Sequence, residues 1–297
     1  MKFKKVSQLF SLIQTSKIQN ISAEKIENKK IILDVKRDDL IHPIISGNKW
    51  RKLKYLLLKI EQTGCYSVAT MGGMHSNFIH ALSYVCYLLG WECRLYIRGF
   101  PQQSLTPTMI DCLRWNAKII YVDRKNFRKL REMPLSLSDK IFWINEGGLH
   151  QESMLGLEEI MMELSLQYDY IVTASATGTS IAGLVNATSR YQKSAKVIGV
   201  SVLNNIEQQT EDVSQLVNSK VDNWSIIKGY EFGGFAKINS ALELFVQDFW
   251  KQHRIPLEAV YSGKSFYAVM DLINKNYFAS GTRVLLIHCG GLQGERG

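Results

Sequence analysis

SGNKWRKLKYLL, residues 46–57, sets a glycine turn ahead of four cations, Lys49, Arg51, Lys52 and Lys54. The apolar residues Trp50, Leu53, Leu57 and Ile60 recur at helical spacing, so the stretch reads as a loop entering an amphipathic helix. Cations are disfavoured at a helix N-terminus, where the backbone dipole is positive. A solvated first turn is the ordinary fate of such a cluster, but an anionic ligand in a crevice would give the positive charge a reason. A lysine at this junction can reach into that crevice. Desolvation and neighbouring cations would then lower its pKa enough for it to act as an amine nucleophile or base.

Downstream, short apolar runs suited to buried strands alternate with longer helix-period segments. CYSVAT (65–70), RLYIRG (94–99), KIIYVD (118–123), IFWINEGG (141–148), YDYIVTAS (168–175), KVIGVSVL (196–203) and RVLLIH (283–288) read as strands. Helices are expected over residues 76–90, 108–116, 154–167, 180–191, 208–219, 239–253 and 265–275. This rhythm predicts an α/β fold with largely parallel sheets and helices on both faces. In such sheets ligands gather at the carboxyl ends of strands. The glycine-bearing segments MGGMHSN, NEGGLH, SATGTSIAG and HCGG all fall at those ends.

Composition narrows the function classes. A chain of 297 residues with 46% hydrophobic content can fill a sizeable core. The net charge of +9 is spread along the chain without arginine–aromatic interleaving, which argues against a nucleic-acid partner and for a basic surface that attracts anionic ligands. Five cysteines (65, 86, 93, 112, 289) form no CxxC pair and read as reduced buried thiols of a cytoplasmic protein, neither a disulfide framework nor a metal site. No run is long enough to span a bilayer, and the segment after the N-terminal lysines is broken by Ser and Gln, so neither a membrane nor a secretory role is expected.

Several loops carry candidate chemistry. In VTASATGTSIAG (172–183) Thr177, Gly178, Thr179 and Ser180 could offer amides and hydroxyls to a phosphate at a helix N-terminus. The spacing fits neither a dinucleotide fingerprint nor a nucleoside-triphosphate loop. An ordinary capped helix packed through Gly183 is the alternative. Ser76 and Asn77 could cap the next helix or hold a carboxylate. Tyr261, ahead of a Ser-Gly turn, is by type a core or interface aromatic unless its neighbours give it chemistry.

Together these motifs resemble the 1-aminocyclopropane-1-carboxylate deaminase and D-cysteine desulfhydrase family, pyridoxal-phosphate enzymes of fold type II, the tryptophan synthase β-like fold. The resemblance runs from KIQNIS through VKRDDLIHPIISGNKWRKLKYLL, GGMHSNFIHAL, ATGTSIAGL and VYSGKSFYAVMDLI to IHCGGLQGERG. It implies pyridoxal 5'-phosphate as cofactor, attached to Lys49, with Asn77 donating to its phenolic oxygen and Ala176–Ser180 cupping its phosphate. Ser76 would meet the substrate carboxylate and serve as an active-site hydroxyl, Tyr261 would approach the reacting carbon, and His75, Asn77, Tyr230 and Cys289 would face the substrate. It further implies a large cofactor-holding domain, residues 1–52 and 155–297, a small α/β domain inserted over 53–154, and a homodimer.

Two positions separate the branches of that family. The deaminases typically carry Glu after the tyrosine of YxGK and Leu before the final glycine pair, whereas the desulfhydrases carry small hydroxyl residues. Here stand Ser262 and Cys289. A carboxylate at the pyridine nitrogen makes the ring a strong electron sink, which suits opening a cyclopropane. Ser262 as a neutral partner suits loss of an α-proton and a β-thiol. D-cysteine desulfhydrase-like elimination to pyruvate, sulfide and ammonia is therefore expected. The alternatives are deamination of the cyclopropane amino acid to 2-oxobutyrate and a non-catalytic protein that binds an anionic ligand in the same crevice.

Overall fold

A computed structural model describes residues 2–102, 104–132, 140–192, 194–217 and 221–295. In chain order its elements are β1 (Lys17–Ile21), α1 (Glu24–Glu27), β2 (Ile32–Arg37), α2 (Asn48–Gln62), β3 (Ser67–Gly73), α3 (Asn77–Leu89) and β4 (Glu92–Arg98). There follow α4 (Pro107–Arg114), β5 (Lys118–Val122), α5 (Arg124–Glu132), β6 (Phe142–Ile144), α6 (Gln151–Met162), β7 (Tyr170–Ser175) and α7 (Thr179–Tyr191). The chain ends with β8 (Lys196–Ser201), α8 (Ile206–Ser214), β9 (Trp224–Ile227), α9 (Ser240–His253), α10 (Ser262–Asn274) and β10 (Arg283–Ile287). Residues 218–219 of the helix expected over 208–219 lie outside the described residues.

Two sheets result. The larger has the order β1-β2-β10-β7-β8-β9 and is parallel except for β1, which pairs antiparallel with β2. The smaller, β5-β4-β3-β6, is parallel throughout. All four of its strands fall within residues 53–154, and the six of the larger sheet fall outside. β10 shows why the apolar runs are continuous. Val284 and Leu286 enter the core under α9 and α10, while Leu285 and Ile287 enter the core under α6 and α7. A strand covered on both faces needs apolar residues at every position.

α2 bridges the two halves. Leu53, Leu57 and Ile60 pack with Ile79 and Leu82 of α3 and Val68 of β3. Its other side meets α6 at Gly156, where a Cβ would stand 1.8 Å from the Arg51 carbonyl oxygen, so only glycine permits the approach. Buried ion pairs lock the same seam. Arg51 contacts Asp38 at 3.1 Å and Glu163, and Lys36 contacts Glu163 at 2.6 Å. Cys86, Cys93, Cys112 and Cys289 are buried thiols. Among the described residues no helix is long and apolar enough to cross a membrane.

Candidate active site

A cavity of about 760 Å³ opens where strand ends of both sheets converge. It is lined by Gly73 at the end of β3, Arg98 at the end of β4, Asn145 after β6, Ala176 after β7, Leu203 after β8 and Cys289 after β10. These are all carboxyl ends, as an open parallel sheet requires of its ligand site.

The first turn of α2 forms the floor. Gly47, at φ +65°, carries no Cβ because one would stand 1.9 Å from the Cys289 carbonyl oxygen. Ser46 Oγ accepts from the Gly291 amide at 3.1 Å, so the turn and the segment after β10 interlock. His288 fixes that segment. Its Nδ1 accepts from the Gly290 amide at 3.1 Å, leaving Nε2 to donate to the Pro256 carbonyl at 2.6 Å, and burial keeps the ring neutral. The Cys289 carbonyl therefore faces the buried Lys49, whose Nζ donates to it.

Lys49 has its pKa lowered by burial, opposed by the fields of Cys289, Glu258 and Asp38. Lys52, one turn on, donates to the Gly147 carbonyl at 3.0 Å and is brought down to about 7 by burial and by the charge of Lys49. The four opening cations thus divide. Arg51 and Lys54 are spent on carboxylates at the α6 seam, whereas Lys49 and Lys52 face the cavity bonded to carbonyls.

Opposite lies the loop after β7. Ala176, Thr177, Gly178 and Ser180 line the cavity, and Gly178 at φ +78° turns the chain into α7. The first amides of a helix have no intrahelical acceptor and attract anions. Thr179 lies beneath the wall, its hydroxyl 3.2 Å from that of Thr177. Asn48 Nδ2 reaches across from α2 to Ser180 Oγ at 2.9 Å. The buried Ser175 hydroxyl, also on the wall, has no hydrogen-bond partner among the described residues. A phosphate ester fits this end, since helix amides, hydroxyl groups and the Lys52 ammonium surround it. Gly147 keeps Lys52 close to the loop, because a Cβ there would meet Thr177 Oγ1 at 2.5 Å.

Ser76 and Asn77 open α3. Ser76 caps the helix through the Ile79 amide, and Asn77 Oδ1 accepts from Gln293, which leaves its amide nitrogen on the cavity side near Gly291. Tyr261 lines the far wall against Phe235, ring centroids 5.8 Å apart, and burial raises its hydroxyl pKa so that it stays protonated. Glu258 holds the turn beneath it. Its carboxylate accepts amides from Val260, Tyr261 and Ser262 at 2.7, 2.8 and 2.6 Å, while burial pushes its pKa up to about 7. Lys264 clamps the neighbouring loop through the Glu231 and Gly234 carbonyls at 2.7 and 2.8 Å.

Besides Thr179, three expected residues are not brought to the cavity. Ser262 is buried with its hydroxyl 2.9 Å from the Glu258 amide and 3.3 Å from that residue's carboxylate, so it is engaged inside its own turn. Tyr230 points the other way and donates to Asp271 at 2.7 Å. His75 is exposed on the loop ahead of α3 and forms no part of the wall. Conversely, Asn48, Lys52, Phe235, Gln209 and a group of arginines line the cavity although the motifs did not single them out. Lys52 was detectable, since residues three apart share a helix face with Lys49.

The family model described as pyridoxal-phosphate dependent enzyme matches residues 15–290. A Pyrococcus abyssi protein named "Putative 1-aminocyclopropane-1-carboxylate deaminase" is 30% identical over 283 residues, covering 88% of this chain and 84% of its own. A 1-aminocyclopropane-1-carboxylate deaminase of Bradyrhizobium sp. is 24% identical, covering 98% and 94%. A crystal structure titled as an ACC deaminase homologue superposes with a TM-score of 0.77 at 25% identity, covering 98% of this chain and 96% of that one.

Proposed function

Because the chain belongs to the pyridoxal-phosphate dependent enzymes, and within them to the 1-aminocyclopropane-1-carboxylate deaminase-like group, we propose that it eliminates a β-substituent from a small amino acid, with D-cysteine as the leading substrate. When bound, pyridoxal phosphate supplies an electron sink for the bonds at the substrate's α-carbon. The remaining work falls to the chain.

Lys52, Thr177, Gly178, Ser180 and the amides that open α7 hold the phosphate end. Lys49 would hold the cofactor, and its Nζ would take the substrate's α-proton. Its burial favours the neutral amine that this step needs. The Ser76 hydroxyl and the amides opening α3 orient the substrate carboxylate, and Asn77 donates to the cofactor's phenolic oxygen. Tyr261, kept protonated by burial, can donate a hydrogen bond to the departing sulfur. Phe235, packed against Tyr261, covers this end. The chain divides for this work into residues 1–52 and 155–297, which hold the cofactor, and an inserted 53–154 unit that covers it.

The observation that carries the reading is the neutral floor under Lys49. Its Nζ bonds directly to the uncharged carbonyl of Cys289, whose thiol lies 3.2 Å from the Thr173 hydroxyl; Glu258 and Asp38 act on Lys49 through their fields, and neither bonds it among the described residues. A neutral wall suits proton abstraction and thiol loss better than cyclopropane opening. The names of the curated relatives favour a second reading, deamination of 1-aminocyclopropane-1-carboxylate to 2-oxobutyrate. Incubating the cofactor-loaded protein with D-cysteine, L-cysteine and the cyclopropane amino acid in parallel separates the two. Pyruvate and sulfide from D-cysteine support elimination, and 2-oxobutyrate from the cyclopropane substrate replaces it with the second reading.

A further inference from the structure

The cavity holds more positive charge than a cofactor phosphate and one substrate carboxylate require. Beyond Lys49 and Lys52, its wall on the side of the smaller sheet carries Arg98 from the end of β4 and Arg124, Arg128 and Arg131 from α5. The three on α5 are spaced i, i+4, i+7 and so share one face. Cations are sorted around this helix. The exposed Arg124 and Arg128 span both the cavity and a shallow groove that they share with Lys125 and Lys129, and the cations of α5 that reach the cavity are all arginines. A merely solvated basic helix has no reason to present only arginines to a cavity, whereas an oxyanion site does, because the planar guanidinium bonds carboxylate, phosphate and sulfonate oxygens in bidentate fashion.

The local carboxylates leave most of this charge open. Glu146 is held by Arg131, and Asp123 spends its oxygens on the Lys125 and Asn126 amides that begin α5. Asp212 also lines the cavity, and no ion pair is formed by Arg98, Arg124 or Arg128 among the described residues. Phe127, buried between Arg98 and Arg131 with the two guanidinium carbons 5.9 and 6.0 Å from its ring centre, stiffens the face.

We propose that the arginine face of Arg98, Arg124 and Arg128 is an anion subsite separate from the cofactor-phosphate end, and that it receives a second negative charge on the substrate's side chain. Beside D-cysteine, the site then accepts amino acids whose β-substituent ends in a phosphate, sulfonate or carboxylate, and binds them more tightly than neutral analogues such as serine. This rests on reading the cavity as a β-eliminating site. The reaction keeps its balance: the Cα–H and Cβ–X bonds break, X departs with the electron pair and a proton, and water converts the three-carbon remainder to pyruvate and ammonia.

The test mixes the holoenzyme rapidly with serine and O-phosphoserine, both enantiomers, and follows the initial shift of the cofactor's visible absorption band, so binding is read ahead of turnover. The expected result is O-phosphoserine binding about tenfold more tightly than serine at low salt, the gap shrinking as salt rises. The double variant Arg124→Gln/Arg128→Gln closes that gap and leaves the serine titration where it was. Equal affinities in the wild-type protein, or a gap that survives the double variant, overturn the subsite while leaving elimination standing. A phosphoserine preference in a protein that releases no pyruvate from any substrate retains the subsite and removes the elimination reading. If neither amino acid shifts the band, both fall.

Discussion

Replacing Lys52 by methionine separates two roles that usually move together. The buried ammonium, brought down to about 7 from an ordinary 10.5, burdens the folded chain. Between those values the unfolded chain binds the proton and the folded chain does not. Stability therefore rises with pH across the window, and the full penalty applies below about pH 7. At 1.36 kcal/mol per unit the ceiling is about 5 kcal/mol near pH 6, about 3 near pH 8 and about 2 near pH 9. Methionine fills similar space without charge, and replacing buried ionic groups by apolar ones recovers roughly 1–4 kcal/mol. Lys52→Met should thus make the cofactor-free protein more stable by about 1–3 kcal/mol near pH 6, with the advantage shrinking toward pH 9. Affinity for pyridoxal phosphate should fall about tenfold or more, because a charge-assisted bond to the phosphate is lost. Urea denaturation of the cofactor-free protein across this pH range, with an absorbance titration of the cofactor, measures both. A variant that is less stable when cofactor-free, or that binds the cofactor undiminished, refutes the reasoning.

Other substitutions probe the scaffold. Gly47→Ala forces a Cβ into the Cys289 carbonyl at a backbone geometry that few side chains adopt, and should lower stability by about 2–4 kcal/mol in a thermal melt. Arg51→Met leaves Asp38 and Glu163 facing each other at the α2–α6 seam, with an expected loss of about 3–5 kcal/mol by denaturant titration. Glu258→Ala strips the acceptor from one buried and two half-buried amides, so it should cost about 2–4 kcal/mol and loosen Tyr261, which a lower kcat with the substrate carboxylate contacts intact would register.

Much of this was legible in the chain because strands covered on both faces leave continuous apolar runs. The glycine loops at their ends also mark where a backbone must turn into a helix. β2 escaped that reading, since its run ILDVKR is broken by charges. The fold buries those charges in pairs, with Asp34 bonded to Tyr168 at 3.0 Å and Lys36 bonded to Glu163. β9 is short, and α5 offers only Phe127 and Leu130 to the core, too few apolar residues to set a period. In the site, a motif gives a residue's position along the chain but not where its side chain turns. Ser262 and Tyr230 sit in matching motifs, yet Glu258 engages one hydroxyl and Asp271 takes the other. Lys49 was readable because its glycine turn and its helix position both force it inward, whereas Arg98 and the α5 arginines acquire meaning only when a distant strand end brings them to the same cavity.

Lys49, rather than Lys52 or Lys264, is proposed as the amine that carries the cofactor. Borohydride reduction of the holoenzyme fixes the cofactor to whichever lysine holds it, and peptide mass mapping then locates it. The account predicts the added mass on Lys49 and an unlabelled, colourless Lys49→Ala protein. Label on Lys52 or Lys264, or an unchanged colour in Lys49→Ala, contradicts it.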